Sequence, residues 1–457
     1  MDSVSRFRAL NSESLQIIFS YSPTGFGHLR VMDALQHGLP KGIESETFGA
    51  DDTSLGSLYR LISIYPPLRL IYERLQGGWI ERPFTTFYRW ILRNRPFILH
   101  LKLKTLINKK KKSVTEILFI ATHFGLAHKL GAIKEELEKE TGVKITLIVV
   151  VTDDSPQLIW YVPEADLTCV PSEYTKTNLM WYAKKFEKNE PRIEVNPYPI
   201  SPDFSNPLSD QRYRSRLKQV DPRDTEKAQI ILPISGAAVG TTYALQLIKT
   251  LREYSHRFYF HVVCKEAPYT IFFLHTVSGF PNVDLHSSYI DRRIVDLYEE
   301  AYEKETIAFE VTKPSEQAFK ALLNPSQVGG SILLFVKPVG RQEYDNLRFL
   351  ERHFLIPNIA DRKYLYEQAE NNTILKDDKR GKEILLEAVR WRGLVLPQKP
   401  ENAAKFINWA YAQGLFKQMF DCCVLPSPSD PEQKELNPHG VEKFWQLVEN
   451  ALESKLT

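Results

Sequence analysis

The sequence predicts an α/β protein made of two doubly wound, Rossmann-like domains, and three observations carry that expectation. Short apolar runs rich in β-branched residues recur along the chain, among them LQIIF at 15–19, EILFIATH at 116–123, KITLIVVVTDD at 144–154, QIILPIS at 229–235, FYFHVVC at 258–264, IAFEVTK at 307–313 and SILLFVK at 331–337. They are continuous rather than alternating, the pattern of parallel strands covered on both faces. A small-residue loop and a stretch with helical apolar spacing follow several of these runs, as in SPTGFGH with LRVMDALQHGL and in the helix GLAHKLGAIKEELEKETG, which Gly142 should stop. The series pauses once, in the proline-punctuated stretch NPYPISPDFSNPLS at 196–209, and then restarts. The expected boundaries are a first domain over 1–200, a linker over 201–226 and a second domain over 227–430. A terminal loop and helix over 431–457 should pack back on the first domain.

Composition narrows the class. A chain of 457 residues with 43% hydrophobic and 25% charged residues can bury more than one core, which excludes a disordered or collagenous protein. Four cysteines, Cys169, Cys264, Cys422 and Cys423, show no CxxC spacing, and no His-rich metal spacing accompanies them. A reduced, cytoplasmic protein without a metal site is expected. The opening MDSVSRFRALNSES is polar, and no window reaches the apolar length of a membrane span, so the chain is expected to be neither exported nor integral.

Charge is uneven. The net value is only +3, yet residues 58–112 hold 13 Lys and Arg against Glu73 and Glu81, interleaved with Trp79, Phe84, Phe87, Tyr88, Trp90, Phe97 and other large apolar groups. Cations mixed with Trp and Tyr suit an anionic membrane surface. Helices of the first domain with solvated basic faces would give the same composition. Nucleic acid is not the expected partner, because no RNA-binding module motif accompanies the segment.

Three constellations carry candidate chemistry. TGFGH at 24–28 follows the first strand; Gly25 and Gly27 would let main-chain N–H groups approach a ligand, and His28 would serve as a base titrating near neutrality. A glycine turn with a capping histidine explains the motif as well. PISGAAVGTT at 233–242 holds the equivalent place in the second domain, where Ser235, Gly236, Gly240, Thr241 and Thr242 suit a diphosphate, or simply a close strand-helix turn. The run from Glu310 to Leu350 places Glu316, Gln342, Glu343 and Asn346 near one edge, side chains of the kind that read sugar hydroxyls.

Taken together these segments resemble glycosyltransferase family 28, in the branch of the monogalactosyl- and processive glucosyl-diacylglycerol synthases, and more distantly the peptidoglycan N-acetylglucosaminyl transferase. TGFGHLRVMDAL is similar to that family's glycine-rich loop and helix, and EILFIATHFGLAHKLGAIK to its strand ending in His123. VVTDDSPQLIWYVPEADLTCVPSE is similar to its paired strands, with Thr152, Asp153, Trp160, Asp166, Ser172 and Glu173 in register. VNPYPISPDF resembles its lead into the linker, and TKPSEQAFKAL and PVGRQEYDN its donor motifs. The likeness runs in order over about 16–350.

The resemblance implies a GT-B fold, with two Rossmann-like domains facing a cleft. It implies an enzyme that moves a hexose with inversion from a UDP-sugar to a lipid acceptor such as diacylglycerol, with no cofactor and no bound metal. His28 and Asp153 are the implied catalytic candidates. Ser235, Gly236, Gly240, Thr241, Thr242, Lys313, Pro314, Ser315, Glu316, Gln342, Glu343 and Asn346 fall on the donor side, and Gly25, Gly27, His123 and Trp160 on the acceptor side. Residues 58–112 become the membrane-facing segment of a cytoplasmic, peripheral protein. A relative that binds nucleotide or lipid without turnover, or one acting on a soluble acceptor or sugar nucleotide, are the alternatives. Two departures stand out. TKPGG of the family reads Thr312-Lys313-Pro314-Ser315-Glu316, and the position of its ribose-clamping glutamate falls on Lys320.

Overall fold

The computed structural model describes residues 7–21, 26–49, 74, 77–94, 96–110, 113–421 and 433–454. The chain divides into two compact units, 1–202 with 431–457, and 203–430. Both are doubly wound parallel sheets, the α/β pair that the GT-B expectation requires.

In the first unit six parallel strands lie in the order β2-β1-β3-β4-β5-β6: β1 Leu15–Tyr21, β2 Ser45–Gly49, β3 Glu116–Ala121, β4 Lys144–Val150, β5 Leu167–Val170 and β6 Ile193–Val195. Ile17 pairs with Leu118 and Leu118 with Thr146 in the ladder. Ile17, Ile18 and Phe19, like Leu118, Phe119 and Ile120, are buried in succession. Because side chains alternate across a strand, consecutive burial means that both faces are covered, which is why these runs read as unbroken apolar segments. The helix Gly440–Glu453 belongs to this unit. Its Trp445 indole donates to the Leu35 carbonyl at 3.1 Å, and Glu449 accepts from the backbone N–H groups of Ala9 and Leu10. The two ends of the described chain are thereby tied together.

The second unit repeats the plan with β7 Ala228–Pro233, β8 Phe258–Lys265, β9 Val283–Ser288, β10 Phe309–Thr312, β11 Ile332–Phe335 and β12 Gly393–Val395, ordered β12-β11-β10-β7-β8-β9. Residues 203–226 fold into this unit. Ser209 caps the helix Asp210–Val220, and the buried Arg216 guanidinium donates to the carbonyls of Pro325, Gln327 and Val328 at 2.6 to 2.7 Å. No carboxylate faces it in these contacts, and burial pulls its pKa down to about 9. The residues beyond 351 add the edge strand β12 and the helices Ile359–Asn371, Lys379–Glu387, Pro400–Ala412 and Leu415–Asp421. Their Trp391, Phe406, Trp409 and Phe416 join the core around β7 and β10.

Glu316–Leu322 is a 3₁₀ helix. Residues 317–322 are all buried, so the segment is wound by its packing rather than by an amphipathic face.

Strand order marks where a doubly wound sheet opens a ligand crevice. In the first unit the order reverses between β1 and β3, and in the second between β7 and β10. Loops leaving the carboxyl ends of such a strand pair diverge to opposite faces and open a crevice, the usual ligand position in doubly wound sheets.

Candidate functional site

In the first unit the residues after β1, β3 and β4 meet at that crevice. His28 lies in the helix Phe26–His37, half-buried, with its Nδ1 3.2 Å from the Thr152 hydroxyl. The Thr122 hydroxyl donates to the His28 carbonyl at 3.0 Å, and the Tyr198 hydroxyl to the Thr152 carbonyl at 3.2 Å, so the pair is fixed from both sides. His123 stands just before the helix Phe124–Thr141, and its ring stands at 90° to that of His28, centroids 4.8 Å apart. Trp160, on the short 3₁₀ turn Leu158–Trp160, closes the group at 6.3 Å from His28. Phe124 fills the space between, stacked on His123 at 4.7 Å and edge-on to Trp160 at 5.6 Å. The structure thus brings His28, His123 and Trp160 together.

Burial holds His123 well below the usual histidine pKa, and His28 and Lys129 push in the same direction. His123 is therefore neutral at physiological pH. The absent Cβ of Gly125 matters here, because one would fall 2.9 Å from His123 Cε1 and displace the ring. Gly27 lies in the first turn of the helix bearing His28, while Gly25, with Thr24 and Pro23, lies outside the described residues.

The acidic pair after β4 splits its duties. Asp154 is fully buried and accepts from the hydroxyls of Ser172 and Thr175, while Ser172 Oγ also caps the helix Glu173–Tyr182. It is Asp154 that locks the strand end. Asp153 is half-buried beside Thr152.

In the second unit β7 leads into Ser235 and the helix Thr241–Tyr254. Gly240 turns the chain at φ +91°, a conformation that L side chains rarely adopt, and presents the first-turn N–H groups that begin at Thr241 and Thr242. The Ser235 hydroxyl oxygen is buried with no hydrogen-bond partner among the described residues. The Tyr269 hydroxyl donates to the Gly236 carbonyl at 2.9 Å and braces the loop.

Next to β7 is β10, leading to Lys313, Pro314, Ser315 and Glu316. Asn346 Nδ2 donates to the Pro314 carbonyl at 3.1 Å, and Lys313 Nζ lies 3.9 Å from Glu343. The TKP and GRQEYDN segments are therefore brought together. Glu343 accepts from the Val339 N–H at 2.6 Å and is buried, as is Asn346, so both hold loops in place. Gln342 and Glu316 are half-buried.

Lys320 is not at this edge. It is buried beneath it, 2.7 Å from Glu310 Oε2, which also accepts from the hydroxyls of Tyr298 and Tyr302 at 2.7 Å each. The ring of Tyr302 lies 3.7 Å from its ammonium. The position that the resemblance likens to a ribose clamp belongs to a core ion pair in this chain.

The basic-aromatic segment is partly described, with 58–73, 75, 76, 95, 111 and 112 outside the described residues. Its helix Gly78–Arg93 is inverted. Glu81, Thr85 and Arg89 face inward with Leu92. Glu81 accepts from the Leu158 N–H at 3.0 Å, Arg89 pairs with Glu187 at 3.1 Å and donates to the Tyr182 hydroxyl, and Arg93 grips Glu164 through two bonds of 2.9 and 2.6 Å. Outward point Trp79, 86% exposed, Trp90, 60%, and Phe87 and Ile91. The helix Phe97–Lys110 also exposes Phe97, Ile98 and Leu101, while Leu103 and Ile107 are buried. Part of the expected positive charge is spent internally, since Arg89, Arg93 and Lys104 have carboxylate partners.

Sequence reasoning missed Phe124 and Tyr269. Phe124 carries a signal, its position directly after His123. Tyr269 carries none, because it acts on a main-chain carbonyl 33 residues away. Among the described residues of the first unit, His100, Glu136 and Glu140 are close enough to hold a cation, although Lys104 Nζ already sits 3.1 Å from Glu140.

No protein-family model matches the chain, and no curated protein matches it either. Solved structures resemble it at low identity. A Listeria monocytogenes protein assigned as a UDP-N-acetylglucosamine 2-epimerase shares 9% identity at TM-score 0.48 and covers 96% of this chain and 97% of its own. Spinosyn rhamnosyltransferase SpnG shares 10% at TM-score 0.44 over 96% and 99%. MurG of Acinetobacter baumannii shares 11% at TM-score 0.41 over 95% and 99%.

Proposed function

We propose that the protein is a peripheral membrane glycosyltransferase that moves a hexose, with inversion, from a UDP-sugar to the hydroxyl of a lipid acceptor such as diacylglycerol. The observation that carries the lipid acceptor is the inverted helix Gly78–Arg93. Burying charges inward and leaving two tryptophans in water is unfavourable for a protein that meets only solvent, and favourable for one that lays this face on a bilayer. The ordered motifs quoted above support the transfer chemistry.

In this reading the acceptor hydroxyl approaches His28. The serving tautomer donates its Nδ1 proton to Thr152 Oγ1, and the Nε2 lone pair takes the acceptor proton as the new bond to the anomeric carbon forms. The bond from that carbon to the diphosphate breaks, and UDP leaves as the anion. Neutral His123 and the rings of Phe124 and Trp160 give the hydroxyl an apolar wall. In the second unit the diphosphate would satisfy the orphan Ser235 hydroxyl and the amide groups at the start of the helix Thr241–Tyr254, whose dipole favours negative charge. Lys313, at the end of the neighbouring strand β10, is the proposed cation for the diphosphate.

The test is hexose transfer from UDP-glucose and UDP-galactose to diacylglycerol in mixed vesicles, with calorimetric titration of UDP alongside. Micromolar UDP binding and lipid-linked product are expected. His28→Ala should lower turnover at least about 100-fold with UDP affinity unchanged. UDP binding without product in any acceptor assay would favour a non-catalytic relative, and product on a water-soluble acceptor alone would remove the lipid.

A further inference from the structure

A second exposed aromatic-basic element adjoins the inverted helix. After the helix Glu173–Tyr182 the chain winds one π-helical stretch, Ala183–Glu187, and ends it at Lys188 in the left-handed region, φ 51°. This segment leaves Trp181 55% exposed, with Lys185 Nζ 4.6 Å from its ring centroid and 5.3 Å from that of Phe186. Arg82 bridges the two elements: it is exposed on the inverted helix, one turn from Trp79, and its guanidinium stacks over Phe186 at 4.0 Å. The join is held from below by Arg89, which reaches both Tyr182 and Glu187, and by the Tyr182 hydroxyl donating to Glu187 at 2.6 Å.

We infer that Trp181, Lys184, Lys185 and Lys188 form a second contact with the anionic bilayer surface, set beside the helix Gly78–Arg93. The inference rests on the membrane reading above and deepens it by naming where the charge is supplied. Charge selects the occupant. Arg89 and Arg93 of the inverted helix are neutralised internally, whereas Lys184, Lys185 and Lys188 are exposed. The acidic residue among them, Glu187, is spent on Arg89 and Tyr182, and Glu190 stands two residues past Lys188. A tryptophan flanked by lysines on a rigid base matches the headgroup layer, where the indole sits at the interface and the ammonium groups meet lipid phosphates. The helix supplies apolar area, and this segment supplies attraction for anionic lipid.

The test is sedimentation of the full chain with vesicles of phosphatidylcholine mixed with phosphatidylglycerol, and of phosphatidylcholine alone, at low and raised salt. The parent should favour the anionic vesicles. Lys184→Glu with Lys185→Glu should lower that binding roughly 10-fold or more and flatten its salt dependence. Trp181→Ala should lower binding to both vesicle types by roughly 5-fold while keeping the salt dependence. Lys376→Glu with Lys379→Glu, exposed in the other unit, makes the same change in net charge and should stay within about twofold of the parent. All these side chains are exposed, so an unchanged melting curve confirms that folding is not the cause. If the parent binds and the Trp181 and Lys184/Lys185 variants bind equally well, this inference fails and the inverted helix alone docks. If the control pair loses as much binding, only net charge is being read, and the inference also fails. A parent that ignores both vesicle types sinks the membrane reading itself.

Discussion

Lys320 shows how a residue's role depends on what surrounds it. The resemblance in the sequence puts Lys320 at a position where a ribose-binding glutamate is expected. Instead it pairs with Glu310 in the core, with Tyr298, Tyr302 and Phe204 around it. Removing one partner of such a pair strands the other charge, so Lys320→Ala should destabilise the second unit by about 3–5 kcal/mol in urea unfolding. Replacing both ions, Lys320→Met with Glu310→Leu, should recover most of that loss, since an apolar pair of similar volume avoids the desolvation cost. UDP affinity of the double variant should equal that of the parent. A double variant as unstable as Lys320→Ala would show that the tyrosine hydroxyls need the carboxylate, and loss of UDP binding would return Lys320 to the site.

At the scale of elements, the helix Gly78–Arg93 separates stability from interaction. Its inner face carries Glu81 and Arg89 bonded to distant partners beside the core residue Leu92, while Trp79 and Trp90 on its outer face stay exposed. Trp79→Ala with Trp90→Ala should therefore leave the melting temperature within about 2 °C of the parent, the range of an exposed-surface change. Vesicle binding should fall at least roughly 10-fold, because two interfacial anchors are lost. A large drop in melting temperature would mean that the tryptophans are covered within the protein. The same division applies to the loops of the second unit, where Glu343 and Asn346 are buried in loop-holding bonds and Ser235 keeps an unsatisfied hydroxyl.

Across the whole molecule, buried histidines make stability depend on acid. Burial lowers His128 of the first unit and His261 of the second to about 4, and it lowers His123 and His286 as well. A depressed histidine pKa means that the folded chain holds the neutral form while the unfolded chain, titrating near the ordinary value of about 6.5, takes up the proton first. Between pH 6.5 and 4 the unfolded state therefore binds more protons, and stability falls as pH falls. A loss on the order of 2–3 kcal/mol in each unit across that window is expected from urea midpoints at stepped pH. His128→Gln should flatten the first unit's share, whereas an unchanged profile would assign the acid sensitivity to carboxylates.

The sequence by itself determined the class of fold, because a strand buried on both faces must be apolar at every position, and β3 and β4 could be read for that reason. It also determined the order of the motifs and their place after the strands, since glycine, proline and capping residues mark the turns locally. Only the tertiary structure decided which of those residues meet. Strand order places the turns after β1 and β3 side by side, so His28 finds His123, and Asp154 rather than its neighbour Asp153 closes the strand through Ser172 and Thr175. The inversion of Gly78–Arg93 was equally hidden. Composition counts cations and aromatics, but the direction each one faces follows from Glu164, Glu187 and Leu158, partners supplied by distant parts of the chain.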